Sequence, residues 1–174
     1  ETSGVALRVI KDGQVGLAST TRTGEVDQLI DNALEVAAFG SAACMEFPSA
    51  GHYPPVPIHD PAVEEVPVEE MIHLGQNLID GIRAGNPEVL CEGRVAKSVT
   101  TVSLLNSEGC ELTYTKAVFS VSMEGMLVRG EDMLFVGERE SSCLPLQDTD
   151  MIRRSIEEQL ELATTVASPI SGSL

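Results

Sequence analysis

The sequence predicts an α+β fold, a two-layer sandwich in which a mostly antiparallel sheet carries helices packed on one face. Three observations lead to this prediction. Short apolar runs occur in pairs around turn sequences, which is typical of β-hairpins. Three other segments carry apolar residues at helical spacing. Strands and helices do not alternate along the chain as a parallel sheet would require.

The first hairpin is predicted from residues 5–10 and 15–19, which flank a turn containing Asp12 and Gly13. Asp-Gly favours a type I′ turn because both central residues of that turn need positive φ. An amphipathic helix is predicted over residues 25–39, and Gly40 is expected to end it.

Residues 40–67 contain six of the nine prolines and predict a long surface excursion, because proline cannot supply the backbone donors of a regular ladder. Pro67 is suited to open the second helix, since its missing N–H would be unpaired in the first turn anyway. This helix carries a long apolar stripe and is expected to end near residues 85–87.

Strands are predicted at residues 89–95, 100–105, 111–128 and 133–136, followed by a helix over residues 149–166. Asn106 and Gly109 lie in the turn of the central hairpin. Four side chains of this hairpin are expected to contact the core: Leu104, Leu112, Phe119 and Val121.

Size and composition favour one domain over residues 1–174, with an aliphatic core because aromatic residues make up only 3% of the chain. The formal charge of −16 is spread over both halves, which argues against direct binding to nucleic acid and against binding to an anionic membrane.

No apolar run is long enough to cross a bilayer, so a cytoplasmic protein is expected. The four scattered cysteines predict buried thiols in a reducing compartment.

Residues typical of catalysis are few. None of His52, His59 and His73 is followed by Glu, and no GxSxG, GxxxxGK[ST] or GxGxxG motif is present. A metal site at His52 and His59 is conceivable, but surface positions are the simpler interpretation. We therefore predict no catalytic, cofactor-binding or metal-binding residue in this chain, and the residues singled out are the turn residues Asp12, Gly13, Asn106 and Gly109.

Two motifs, "GVALRVIKDGQVGLASTTR" and "SVTTVSLLNSEGCELTYTKAVFSVSMEG", resemble the N-terminal domain of the TldD/PmbA family, whose members are also called modulators of DNA gyrase. The resemblance covers roughly residues 4–166. The matching positions are Gly4, Arg8, Lys11, Asp12, Gly13, Gly16, Ala18, Ser19, Thr20, Asn106, Ser107 and Gly109.

The resemblance implies an N-terminal α+β domain that precedes a mainly β domain, which is absent from this chain. It also implies a zinc metallopeptidase acting on unfolded peptides, in which a TldD-type subunit with an HExxxH motif works with a PmbA-type partner that lacks it. This sequence has no HExxxH, so no catalytic or zinc-binding residue of the family can be assigned here, and the chain alone is expected to be inactive.

Two functions follow as hypotheses. The first is the non-catalytic N-terminal domain of such a peptidase, shaping the substrate chamber and a homo- or heterodimer interface. The alternative is an independent protein-binding or regulatory module without a role in proteolysis.

Overall fold

The computed structural model describes residues 1–165, with side chains to residue 163, and this part of the chain forms two compact units. The first unit consists of Glu1–Gly51 together with Asn106–Cys110, and the second contains the rest of the described chain. The elements are β1 (Val5–Lys11), β2 (Gln14–Thr20), α1 (Val26–Ala37), α2 (Ala62–Glu65), α3 (Val68–Gly85), β3 (Leu90–Leu105), β4 (Glu111–Arg129), β5 (Asp132–Ser142) and α4 (Asp150–Thr165).

In the first unit, β1 and β2 form the predicted antiparallel hairpin, with Val5 opposite Thr20 and Lys11 opposite Gln14. The turn consists of Asp12 and Gly13, whose φ angles are 52° and 78°. Positive φ at both positions is the requirement of a type I′ turn, whose twist matches that of the strands it joins.

Helix α1 packs on this hairpin through Leu29, Ala33 and Ala37, all of which are buried. Small side chains at the contact let the helix approach β2 closely at Gly16. A Cβ atom at Gly16 would overlap the carbonyl oxygen of Ala33.

The proline-rich excursion contains no strand or helix before α2, as its composition predicts, but it makes defined contacts at both ends. Its start runs beside the first hairpin, where the Val15 amide donates to Ser41 at 3.0 Å and the Ala43 amide to Gly13 at 2.8 Å. Helix α2, which the sequence pattern does not predict, lies near its end. The Lys97 ammonium group donates to the carbonyl oxygens of Glu64 and Val66, at 2.6 Å each, and so binds the end of α2 to β3.

In the second unit, β3, β4 and β5 form an antiparallel sheet with β4 in the centre. Leu90 lies opposite Met126 and Leu105 opposite Glu111, so β3 is one continuous strand rather than the two predicted. β5 is also longer than predicted and pairs from Asp132 to Ser142.

Helices α3 and α4 cover one face of this sheet, which confirms the predicted two-layer arrangement within the second unit. Alternate residues of β4 enter the core with the apolar stripes of both helices. The buried cluster comprises Val63, Leu78, Ile82, Val89, Ala117, Phe119, Val121, Met123, Leu127, Val136, Ile152, Ile156 and Leu160.

Three details differ from the sequence predictions or lie outside the structure. Leu104 is 51% exposed and not part of the core, because β3 and β4 extend beyond β5 at this end. Cys44 is exposed, whereas Cys110 is buried, so the four thiols are not uniformly buried. Residue 166, the predicted end of the last helix, lies outside the described residues. None of the helices described is long and apolar enough to span a membrane.

Candidate functional site

The face of the three-stranded sheet opposite α3 and α4 is the candidate site, and we call it the open face. Its side chains come from the alternate residues that the pleat turns away from the core. They form rows across the strands and line a groove of about 820 Å³. Small side chains make up the floor of this groove, with Ala96 opposite Ser120 and Ser98 opposite Val118.

Two arginines flank a serine in one row of the open face, which we call the arginine row. Arg94 lies opposite Ser122 on β4, and Ser122 lies opposite Arg139 on β5. Both arginines are exposed, and neither guanidinium has an ion pair or hydrogen bond to a described residue. The arginine row therefore presents two positive charges that have no direct ion-pair partner among the described residues, in a chain of net charge −16.

The next row contains Glu92 and Glu124, opposite each other on β3 and β4, with Gly137 beside them on β5. Beyond it the open face becomes apolar. Leu90, Met126 and Phe135 form the apolar row, in which Leu90 is 59% and Phe135 70% exposed. Exposed apolar side chains next to unpaired charges are typical of a surface that binds another chain.

The outer edge of β5 is partly closed by a side chain of α4. The Gly137 amide donates to Gln159 Oε1, and Gln159 Nε2 donates to the Gly137 carbonyl, both at 3.2 Å. Gln159 thus satisfies both outward backbone groups of Gly137, which an added strand would otherwise use. A peptide is therefore blocked from the β5 edge at this position, while the open face is not affected.

Glu138 lies on the helix side of β5 and anchors α4. Its carboxylate accepts hydrogen bonds from the Arg139 amide and from the Ser155 hydroxyl, both at 2.8 Å. Both bonds lower the pKa of the Glu138 carboxyl group because they stabilise its charged form. The bond from the Arg139 amide has the larger effect, followed by the bond from the Ser155 hydroxyl. The two bonds also hold the strand that carries Arg139 against the helix layer.

Comparisons with known proteins relate the N-terminal segment and the fold of this chain, but not the open face itself, to one family. Residues 1–37 match the family model described as PmbA/TldA metallopeptidase domain 1. TldE from Thermococcus kodakarensis aligns with a TM-score of 0.63 at 18% identity, covering 91% of this chain and 38% of that one. The predicted resemblance to the TldD/PmbA N-terminal domain is confirmed.

Two further solved structures share the fold of this TldD/PmbA-like chain, and both are described as candidate modulators of DNA gyrase. The protein from Thermotoga maritima has a TM-score of 0.67 at 17% identity, covering 97% of this chain and 39% of its own. The protein from Bacteroides thetaiotaomicron has a TM-score of 0.70 at 16% identity, covering 91% and 39%. The chain thus spans about two fifths of the length of these structures. No curated protein matches it.

The second TldD/PmbA-like motif forms a turn that is built around Asn106. The Asn106 side-chain oxygen accepts hydrogen bonds from the amides of Glu108 and Cys110, both at 3.0 Å, while its nitrogen donates to the Pro48 carbonyl at 2.8 Å. Gly109 has a φ of 80°, which disfavours other residues. Asn106 therefore shapes the turn and also binds the proline-rich segment, a contact that the sequence did not reveal.

The histidines of this TldD/PmbA-like chain do not come together. His52 and His73 are exposed, and His59 Nε2 lies 3.1 Å from a carboxylate oxygen of Glu64. Within residues 1–163, no three His, Cys, Asp or Glu side chains converge as metal ligands. Structural and catalytic zinc sites need at least three protein ligands, so the donor set described here does not fit the zinc that the resemblance implies.

Proposed function

We propose that this chain is the non-catalytic N-terminal domain of a TldD/PmbA-like metallopeptidase that acts on unfolded peptides in the cytoplasm. The observation that carries the proposal is the match of residues 1–37 to a metallopeptidase domain 1, on a chain that shares the fold of the part of TldE that it covers, 38% of that protein. In this role the domain shapes the substrate chamber and contributes to a homodimer or heterodimer interface.

The open face supports this role physically. An unfolded peptide is extended, and an extended chain can lie along a sheet face with alternate side chains pointing towards it. The small residues Ala96 and Ser120 allow close approach, and the apolar row offers surface that a peptide side chain can remove from water. A sheet face that binds a peptide in this way needs no unusual side-chain chemistry.

The chemistry is assigned to another part of the assembly, because the donor set of residues 1–163 does not fit zinc. Two arrangements are consistent with this proposal: a TldD-like protein whose HExxxH motif lies outside these residues, or a PmbA-like protein that works with a TldD-type subunit. Direct contact with nucleic acid or a membrane surface is not part of the proposal, since the charge of −16 opposes both.

A second candidate is a protein-binding module without a peptidase role. It is suggested by the two structures described as candidate modulators of DNA gyrase. In that case the open face would bind a folded partner, and no combination of subunits would cleave peptides.

The test is cleavage of a fluorogenic unfolded peptide by the complete gene product. The complete gene product is assayed alone and together with a TldD-type or PmbA-type subunit from the same organism. Each combination is measured with and without a chelator. The proposal predicts chelator-sensitive cleavage in at least one combination. Absence of cleavage in every combination, with all proteins folded, would reject it in favour of the binding module.

A further inference from the structure

We infer that the arginine row of the open face recognises a carboxylate of an extended peptide, so that the site prefers acidic peptides. This inference names the substrate class of the site described above and rests on the proposed function in one respect, that the occupant is a peptide. It begins from the pairing of Arg94, Ser122 and Arg139 in one row.

The geometry suits one carboxylate between two guanidinium groups. Neighbouring strands are about 4.8 Å apart, so the Cα atoms of Arg94 and Arg139 are separated by about 10 Å across Ser122. Both side chains are long enough to converge on an anion above the serine, whose hydroxyl can donate a further hydrogen bond. Guanidinium groups bind carboxylates through paired N–H donors, which makes arginine the favoured residue for this task.

The two arginines are also available. Three other arginines form ion pairs within the chain: Arg22 with Glu25 at 3.4 Å, Arg129 with Glu88 at 3.7 Å, and Arg153 with Asp150 and Glu157. Arg94 and Arg139 have no such partner among the described residues, although Glu92 and Glu124 lie one row away. Their positive charges therefore remain free for an external carboxylate.

The neighbouring rows define a spacing for the peptide. The apolar row lies four residues from the arginine row on both outer strands, from Arg94 to Leu90 and from Arg139 to Phe135. A peptide that runs along the strands has the same rise per residue, so a Glu and a Leu four positions apart reach both rows. The intervening Glu92 and Glu124 repel a second carboxylate placed between them.

Because the chain has a net charge of −16, a preference for a Glu peptide over a Gln peptide distinguishes the local site from general electrostatics. A protein at −16 repels an acidic peptide at long range, so general electrostatics predicts weaker binding of a Glu peptide than of its Gln counterpart. The arginine row predicts the opposite order, because it acts at short range. The sign of this difference separates the local site from the overall field.

The experiment measures fluorescence anisotropy of labelled twelve-residue peptides of Gly and Ser, titrated with the complete protein. One peptide carries Glu and Leu four positions apart, a second carries Gln instead of Glu, and a third has Glu and Leu adjacent. We expect the first to bind about tenfold more tightly than the second, consistent with two exposed charge contacts, and more tightly than the third. The preference should weaken as salt is raised.

The test variant is R94Q/R139Q, and the matched control is R83Q/R154Q, which removes the same charge from exposed positions on α3 and α4, the helices on the other face of the sheet. The inference predicts that only R94Q/R139Q loses the preference for the Glu peptide. An equal preference in both variants, or a wild-type preference for the Gln peptide, would overturn it. If cleavage persists while this preference is absent, the inference fails alone; if the preference is present but no combination cleaves, the proposed function fails alone.

Discussion

Replacing Gly16 with alanine adds one methyl group where β2 meets α1, in the segment that matches the metallopeptidase domain 1 model. The new Cβ would overlap the Ala33 carbonyl oxygen and lie 2.8 Å from the backbone nitrogen of Ala37. Both atoms belong to the helix backbone, so no side-chain rotation can relieve the contact. The whole helix must shift away from the hairpin.

The magnitude follows from two opposing effects. Overpacking of a well-packed contact costs about 1–3 kcal/mol, and the backbone clash places Gly16→Ala in the upper part of that range. Alanine also restricts the unfolded chain, which offsets about 0.4–1 kcal/mol. We expect a net loss of about 2 kcal/mol in the stability of the first unit.

Hydrogen exchange of the β1 and β2 amides measures this loss locally. A loss of about 2 kcal/mol corresponds to roughly 30-fold faster exchange where opening of this unit limits protection. Gly24→Ala is the matched control, because nothing lies within 4 Å of a Cβ at Gly24. Unchanged exchange in Gly16→Ala, or equal acceleration in the control, would refute the close helix contact.

Three further predictions concern the second unit and the thiols. Lys97→Met removes two charge-assisted hydrogen bonds to backbone carbonyls, so the free energy of unfolding in urea should fall by about 1–3 kcal/mol. Lys116→Met, at an exposed position, is the control and should change this free energy little. Equal losses in the two variants would contradict the prediction. Because the folded-state pKa of Glu138 is lowered, its carboxylate stabilises the fold above the unfolded-state pKa, and this contribution is lost as pH falls through the folded pKa. Glu138→Gln should therefore be less stable than wild type at pH 7, with the difference vanishing in acid; a difference that is constant with pH would refute the assignment. Burial raises the pKa of the Cys91 thiol, so mass spectrometry should show iodoacetamide labelling exposed Cys44 before Cys91, and the reverse order would contradict the described burial.

Local signals in the sequence were sufficient for most elements. The Asp12-Gly13 turn requires two positive φ angles, and few sequences favour them, so the first hairpin was predictable. Pro67 and the apolar stripe behind it predicted α3, which begins at Val68. These features depend on residues close together in the chain.

Features that depend on distant contacts were not predictable. Helix α2 is four residues long in a proline-rich segment, and its end is held by Lys97, 33 residues from Glu64. The continuity of β3 across residues 96–99 depends on its pairing with β4, which overrides the weak strand signal there. The position of Leu104 outside the core likewise depends on where β5 ends.

The candidate site was missed for a related reason. Arg94 and Arg139 are 45 positions apart, and only the strand register places both beside Ser122. Sequence motifs report residues that act at short spacing, whereas this row is assembled across three strands. The charge sum of −16 further concealed it, because the 27 acidic residues of the whole chain outnumber the 11 basic ones and the sum does not show where individual arginines lie.

We propose above all that the open face binds the peptide substrate of a peptidase, and photo-crosslinking tests this proposal most directly. A benzophenone side chain is placed at position 122, within the arginine row, or at position 154 on the helix layer as a control. During incubation with an unfolded acidic peptide and the partner subunit, we expect crosslinks from position 122 that excess unlabelled peptide abolishes, and none from position 154. Equal crosslinking from both positions, or none from position 122 while the peptide is being cleaved, would contradict it.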